Sequence, residues 1–301
     1  MDHTMRELLS KIGGMDYLVS EFVRVTQQPT SSQAFKRLVP ELNTNAKTNT
    51  GHSVHIQLLG SDANIMGISA ANAVEAGATH IDINFGCPAK RVNGHGGGSF
   101  LLQTPEALFN IVHSIKSALP ENIPLSAKMR LGFMDESLFF ENVSAIESGG
   151  ADTLTIHGRT KKDGYSPPAR WEKIAQAKHR SNMTIIANGD IKNRESLAAC
   201  QKVTLCDQFM IGRGSLSNPF IFRELKGGQT GTFEELYEII QNYMDTLLEH
   251  YDDFATLGRI KQWSAHLRQD WSIIAENLKN IRQTQTTDEL KRALDLLATK
   301  Q

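Results

Sequence analysis

An α/β fold, a (β/α)8 TIM barrel that lacks its first strand and is followed by a C-terminal helical domain, is predicted by three observations. Short runs rich in β-branched residues alternate with segments of helical period; nearly every run ends on a polar or glycine residue; and from Thr232 only helical period remains. The runs are YLVSEFVRV, SVHIQLLG, THIDINFG, PLSAKMRLG, TLTIHG, MTIIANG and CDQFMIG. Between them lie helical segments such as Asn64 to Glu75, Pro105 to Leu119, Ser137 to Ser148 and Arg194 to Gln201, and this alternation means a parallel sheet with crossover helices. A doubly wound sheet would gather its chemistry at one switch point. Here Gln57, Asn84, Lys128, His157, Asn188 and Gly212 are spread over successive strand ends, as in a barrel that builds one site from many strands. Seven runs are present where a closed barrel needs eight, and the opening helix, Met1 to Ile12, is too polar to fill the vacant position.

The Gly-rich KGGQTGT at Lys226 to Thr232 has the composition of a flexible connection. It divides a barrel domain, 1–226, from a helical domain, 232–301. Lys+Arg of 32 against Asp+Glu of 33 gives a net charge of -1, so a polyanionic partner must meet a local patch. Cys87, Cys200 and Cys206 are too few and too scattered for a disulfide framework or a metal site. A reduced cytoplasmic protein without metal is expected, and a monomer. No apolar run approaches the roughly 20 residues that cross a bilayer, so no membrane association is expected.

The most specific string is INFGCPAKRVNGHGGGSFLL, Ile83 to Leu102, in which a cysteine follows a strand and glycine and precedes a Gly-rich loop. It resembles the NxGCPxxxVxxxGxGxxL signature of tRNA-dihydrouridine synthases. VHIQLLG, AKMRLG, TIHGRTKKDGY, IIANGDI and MIGRG match further segments of that family in the same order. EFVRV at Glu21 to Val25 and RIKQW at Arg259 to Trp263 look like subfamily C, whose members modify uridine 16 of the D-loop. The Gly-rich run GHGGGS is no dinucleotide fingerprint, because no ribose-binding acid follows at the needed spacing.

The resemblance implies that FMN reduces the uridine ring and that NADPH visits transiently to reduce the flavin. Hydride addition at C6 of uracil requires a proton at C5, so a positioned acid must stand beside the site. Cys87 is the candidate. A free cysteine is most often a buried hydrophobe, but the GCP context at a strand end favours chemistry. By resemblance Gln57, Lys128 and His157 contact the flavin, with Lys128 near its pyrimidine edge. Asn188, Gly189 and Asp190, and later Gly212 with Arg213, match the grip on phosphate and ribityl chain. The bland reading of ANGD is an ordinary Asn-Gly turn. Asn84 and Tyr165 look like the residues that hold the uracil.

For the tRNA partner, Arg24, Arg259 and Lys261 match subfamily positions, while Arg268, Lys279 and Arg282 add to a basic cluster in the helical domain. Such a cluster is ordinarily a solvated helix face; exposed cations also grip phosphates and set orientation. Where the family has an opening strand like LAPMxGVTD, this chain has MDHTMREL, with Asp2 and Arg6 matching residues just after that strand. Two outcomes are open to such a sequence: the native start lies upstream and supplies the strand, or the barrel carries two open edges and binds flavin poorly. Two alternatives stand beside the synthase: an FMN barrel oxidoreductase acting on a free pyrimidine, and a truncated, inactive tRNA-binding protein.

Overall fold

The β-branched runs pair side by side in chain order, all parallel, in the computed structural model, which describes residues 1–298. The strands are β1 (Tyr17–Val19), β2 (Val23–Arg24), β3 (Ser53–Leu59), β4 (Ile81–Phe85), β5 (Leu125–Arg130), β6 (Thr153–His157), β7 (Thr184–Asn188) and β8 (Gln208–Met210). The sheet order is β1-β3-β4-β5-β6-β7-β8, and β2 also pairs with β3. β1 and β2 thus occupy one sheet position, which gives the seven positions counted in the sequence. No pairing joins β8 to β1 among the described residues, so the curled sheet stays open there.

YLVSEFVRV, read as one strand, is interrupted. Val19 pairs with His55 and Val23 with Leu58, so four residues on one side oppose three on the other. One extra residue makes a bulge, which bends a strand and re-aims the side chains beyond it. Ser20 mends the ladder: its N–H donates to the His55 carbonyl at 2.9 Å and its Oγ accepts the Gln57 N–H at 3.0 Å. Gln57 is therefore pinned through its own backbone at this bulge.

Inside the strands, alternation sorts the side chains. Ile81, Ile83 and Phe85 are fully buried, whereas Asp82 and Asn84 between them belong to the inner face. Each buried aliphatic side chain contributes about 1.5–3 kcal/mol relative to exposure, so the apolar set holds the sheet to its helices and leaves the inner face free for chemistry. Helices Ala63–Glu75 and Pro105–Ala118 pack closely because Gly67 has no side chain: a Cβ there would lie 2.6 Å from Ser114 Oγ. The first of these helices starts where the Asp62 carboxylate accepts the Ile65 N–H at 2.8 Å, an N-cap. Helices Ser32–Leu38 and Trp171–Arg180 complete this region and were not read from the sequence.

The chain divides into two compact units. The first contains Met1–His3, Asp16–Ile191 and Glu195–Met210; the second contains Thr4–Met15, Lys192–Arg194 and the chain from Ile211 onward. The connection expected at Lys226 to Thr232 lies within the second unit, whose main helices are Phe233–His250, Asp253–Leu267, Ser272–Gln283 and Thr287–Ala298. Ser272–Gln283 was not anticipated. A capping box opens Phe233–His250: Thr232 Oγ1 accepts the Glu235 N–H at 3.3 Å, and Glu235 Oε2 accepts the Thr232 N–H at 3.1 Å. The RIKQW tryptophan is structural, since Trp263 is 3% exposed and its Nε1 donates to the Leu216 carbonyl at 3.0 Å.

Candidate active site

Five expected residues stand at or near consecutive strand ends of the first unit: Gln57 on β3, Asn84 on β4, Lys128 on β5, His157 on β6 and Asn188 on β7. In register, Asn84 pairs with Lys128 and His157 with Asn188. Asn84 Nδ2 donates to Gln57 Oε1 at 2.8 Å, and Gln57 Nε2 donates to the Asp82 carboxylate at 2.6 Å. Asn84 Oδ1 accepts the Gly86 N–H at 2.9 Å, so the amide of Asn84 is oriented by a group that can only donate.

Cys87 follows β4 and is half-buried. Its carbonyl accepts three hydrogen bonds, from Asn93 Nδ2 at 2.9 Å, Ser99 Oγ at 2.9 Å and the Ser99 N–H at 3.1 Å. This explains the glycines of GHGGGS better than any phosphate-binding role does. Gly98 has φ +59, and a Cβ there would lie 2.9 Å from the Cys87 carbonyl oxygen and 3.0 Å from its Cβ. The loop returns across its own beginning and fixes the backbone beneath the thiol.

Lys128 is half-buried, and its amine makes no hydrogen bond or ion pair among the described residues. Burial, together with the neighbouring Arg130 guanidinium, pushes the amine down to about 8, against the pull of Asp82 and Cys87. An unpaired, marginally charged amine at a strand end is a ready partner for developing negative charge.

Two arginines missed by the sequence reading organise the loops around this layer. Arg130 is 2% exposed and donates through Nε to the Gly86 carbonyl at 2.9 Å, and through Nη1 to the Thr160 and Gly164 carbonyls at 3.0 and 2.8 Å. It also lies under Tyr165, 5.2 Å from the ring centroid. One side chain thereby ties the glycine before Cys87 to the loop that presents Tyr165, which is 49% exposed. Arg159, 1% exposed, holds the Asp190 carboxylate through Nη2 at 2.6 and 2.5 Å, and its Nη1 lies 3.2 Å from His157 Nε2. An arginine only donates, so His157 Nε2 accepts and the ring proton belongs on Nδ1.

Asp190 is thus committed to Arg159, and it also accepts the Ala169 N–H at 2.7 Å. Gly189 has φ +120, and a Cβ would lie 3.0 Å from the His157 ring, so only glycine fits that turn. Asn188 donates to the Met210 carbonyl at 2.8 Å, linking β7 to β8. Gly212 and Arg213 follow β8 and belong to the second unit; a Cβ on Gly212 would meet nothing within 4 Å.

Below the strand ends the first unit encloses a cavity of about 180 Å³. Its wall includes a column of rings in which His55 stacks on Tyr17 at 4.1 Å and on His80 at 3.6 Å. Arg24 borders a separate cavity of about 440 Å³ together with Arg91 and His95. In the second unit Arg259 lies over the Tyr251 ring at 4.2 Å, and Lys261 Nζ donates to the Thr284 carbonyl at 2.5 Å. Arg268 and Arg282 are exposed. Among the described residues no group of His, Cys, Asp and Glu is arranged to hold a metal ion, and no helix is long and apolar enough to cross a membrane.

The sequence profile of the dihydrouridine synthase family (Dus) matches residues 1–301. The chain is 40% identical over 296 residues to the tRNA-dihydrouridine(16) synthase of Shewanella oneidensis, covering 98% of this chain and 94% of that one. It is 41% identical over 284 residues to the same-named protein of Vibrio vulnificus, covering 94% and 89%. Among solved structures it is similar to histamine dehydrogenase from Rhizobium sp. 4-9, with a TM-score of 0.54, 14% identity and coverage of 78% of this chain and 43% of that one. It is also similar to an amine oxidase from Pseudomonas geniculata N1, with a TM-score of 0.56, 12% identity and coverage of 74% and 44%. The chain spans less than half the length of these two solved proteins, and at such identity they speak to fold alone.

Proposed function

Since the chain belongs to the dihydrouridine synthase family, we propose that it reduces the C5–C6 double bond of a tRNA D-loop uridine, at position 16, using FMN and NADPH. The observation that carries this reading is the strand-end layer: a thiol on a loop locked by its own glycine, beside an unpaired lysine and two oriented amides. The residues fit a phosphate-bearing, electron-accepting group. Lys128 has an amine without a partner among the described residues.

Gln57, Lys128 and His157 would hold the ring system, and Asn188 and Gly189 the phosphate-bearing chain. Asp190 would serve that chain indirectly, by setting the turn through Arg159. When bound, the flavin supplies hydride to C6 of the uracil. Asn84 and Tyr165 hold the base, the first by an amide whose orientation Gly86 settles, the second by a ring braced on Arg130. Cys87 delivers the proton to C5 and is protonated again from solvent. Lys128, kept cationic, attracts negative charge to its side of the site.

The first unit carries this chemistry, and the helices of the second unit from Phe233 to Ala298 bind the tRNA. Arg268 and Arg282 are exposed cations free to meet phosphates, whereas Lys261 already serves the Thr284 carbonyl. Arg268→Ala and Arg282→Ala are each expected to weaken tRNA binding and to reduce the slope of log affinity against log salt by about 0.7–0.9 for each phosphate no longer neutralised. Lys261→Ala is expected to lower the melting temperature instead. Filter binding across a salt series, with calorimetry on the same variants, separates the two effects.

The reading itself is tested by incubating purified protein with unmodified tRNA and NADPH and mapping dihydrouridine by mass spectrometry. Dihydrouridine at position 16 is expected. Modification at another position would correct the site assignment, turnover of free uracil would favour a small-molecule oxidoreductase, and a colourless protein that binds tRNA would favour an inactive binder.

A further inference from the structure

Asp82 is a carboxyl that touches no reacting group and is 2% exposed. Its Oδ2 accepts from Gln57 Nε2 at 2.6 Å, and its Oδ1 accepts from Ser126 Oγ at 2.5 Å. The chain of hydrogen bonds above it has a settled direction. The Gly86 N–H can only donate, so Asn84 Oδ1 accepts, Asn84 Nδ2 donates to Gln57, and Gln57 Nε2 donates downward to Asp82. Each amide keeps one N–H for another partner.

Below Asp82, His80 faces the Asp152 carboxylate, which Lys116 Nζ meets at 3.0 Å, and Tyr17 faces Asp16. Ser126 Oγ lies 3.0 Å from His80 Nε2, and His80 stacks on His55. Burial pushes these imidazoles down to about 4 and about 3, and raises the Tyr17 phenol to about 12, so the ring column is neutral at working pH. The cations on the strand-end side are Lys128 and Arg130 on β5 and Arg159 after β6, with Cys87 after β4 and His157 on β6 facing the same space. Arg130 opposes the charge on Lys128, and Asp82 favours it.

The fold gains nothing from this charge. Burial raises the Asp82 carboxyl to about 6, in spite of its bonds from Ser126 and Gln57. A carboxyl whose folded value exceeds its unfolded one stabilises the fold when protonated, and that contribution is lost as pH rises through about 6. At neutral pH the ionised group therefore opposes folding. An asparagine of the same shape could accept from Gln57 and donate to Ser126, which would then donate to His80. Only the negative charge would be missing.

We propose that Asp82 is a positioning residue for uridine reduction: a carboxylate sealed beneath the site that orients the Gln57 and Asn84 amides and holds the Lys128 amine charged. This rests on the reading of the chain as a uridine reductase. A parent protein that formed no dihydrouridine would fail that reading alone, because titration of Lys128 needs no turnover.

The test is Asp82→Asn, with Ser126→Ala beside it. Trace labelling of the isolated protein with acetic anhydride across pH, read by mass spectrometry of the Lys128 peptide, titrates the amine directly. In Asp82→Asn its midpoint is expected to move to lower pH by roughly one unit, the small end of what a nearby opposite charge does. The alkaline limb of dihydrouridine formation should move with it, with KM for tRNA unchanged, while the melting temperature at neutral pH holds or rises. Ser126→Ala removes a bond that favours the ionised form, so its acid limb should move to higher pH. That second variant decides the matter if Asp82→Asn does not fold. An unmoved Lys128 midpoint in Asp82→Asn, or unmoved limbs in both variants, would reduce Asp82 to a polar filler of the barrel interior.

Discussion

Cys87→Ala is expected to retain flavin and to oxidise NADPH as the parent does, while dihydrouridine formation falls by about 10²-fold or more, the scale of general-acid catalysis. The loop should survive the change. Its anchoring bonds come to the Cys87 carbonyl from Asn93 and Ser99, not to the thiol, and Gly98 packs against the backbone and Cβ that alanine keeps. An unaltered melting temperature should therefore accompany the loss. Single-turnover reduction of tRNA by pre-reduced protein isolates the proton-transfer half of the reaction, and a normal rate there would remove Cys87 from the chemistry.

Arg159→Ala is expected to destabilise the first unit by about 3 kcal/mol, the lower end for removing one partner of a buried pair. The arginine is 1% exposed, and its loss leaves a carboxylate that is only 23% exposed without its bidentate partner. It also frees His157 Nε2 and the Ser166 carbonyl, which Arg159 Nε reaches at 2.6 Å. For a domain of this size the melting temperature should fall by about 10 °C, and flavin content should fall with it as the Gly189 turn loosens. Thermal unfolding followed by circular dichroism measures the first, and absorbance the second. A fall below about 2 °C would show that the pair is screened by solvent and contributes like a surface bridge.

The sheet was legible because its signal is local. Each strand carries its own alternation, and each ends on a residue that must be polar if the site is built from strand ends. Strand count, parallel order and the layer of Gln57, Asn84, Lys128, His157 and Asn188 all follow from that signal. The bulge at Ser20 was not legible, because one extra residue shows only when a partner strand gives the register. Lys128 and Arg130 lie two residues apart on the same face, and spacing alone does not say which cation stays unpaired. Asp190 carries the same lesson: the sequence shows a carboxylate in a tight turn, and only tertiary distance reveals Arg159 opposite it. Helix Ser272–Gln283 escaped because its polar residues hide a narrow apolar stripe of Ile274, Leu278 and Ile281.

The open path from β8 round to β1 has a dynamic meaning. A strand flanked on both sides opens only when two ladders part, whereas an edge strand frays by breaking one. β8 is three residues long and β1 is three residues long, so each holds few bonds to lose. Amide hydrogen exchange should therefore be graded across the sheet, slowest in β4, β5 and β6 and fastest at the two rims. Cys87 and Lys128 stand on the slow side of that gradient, so the thiol and the amine would keep their geometry through the edge fluctuations.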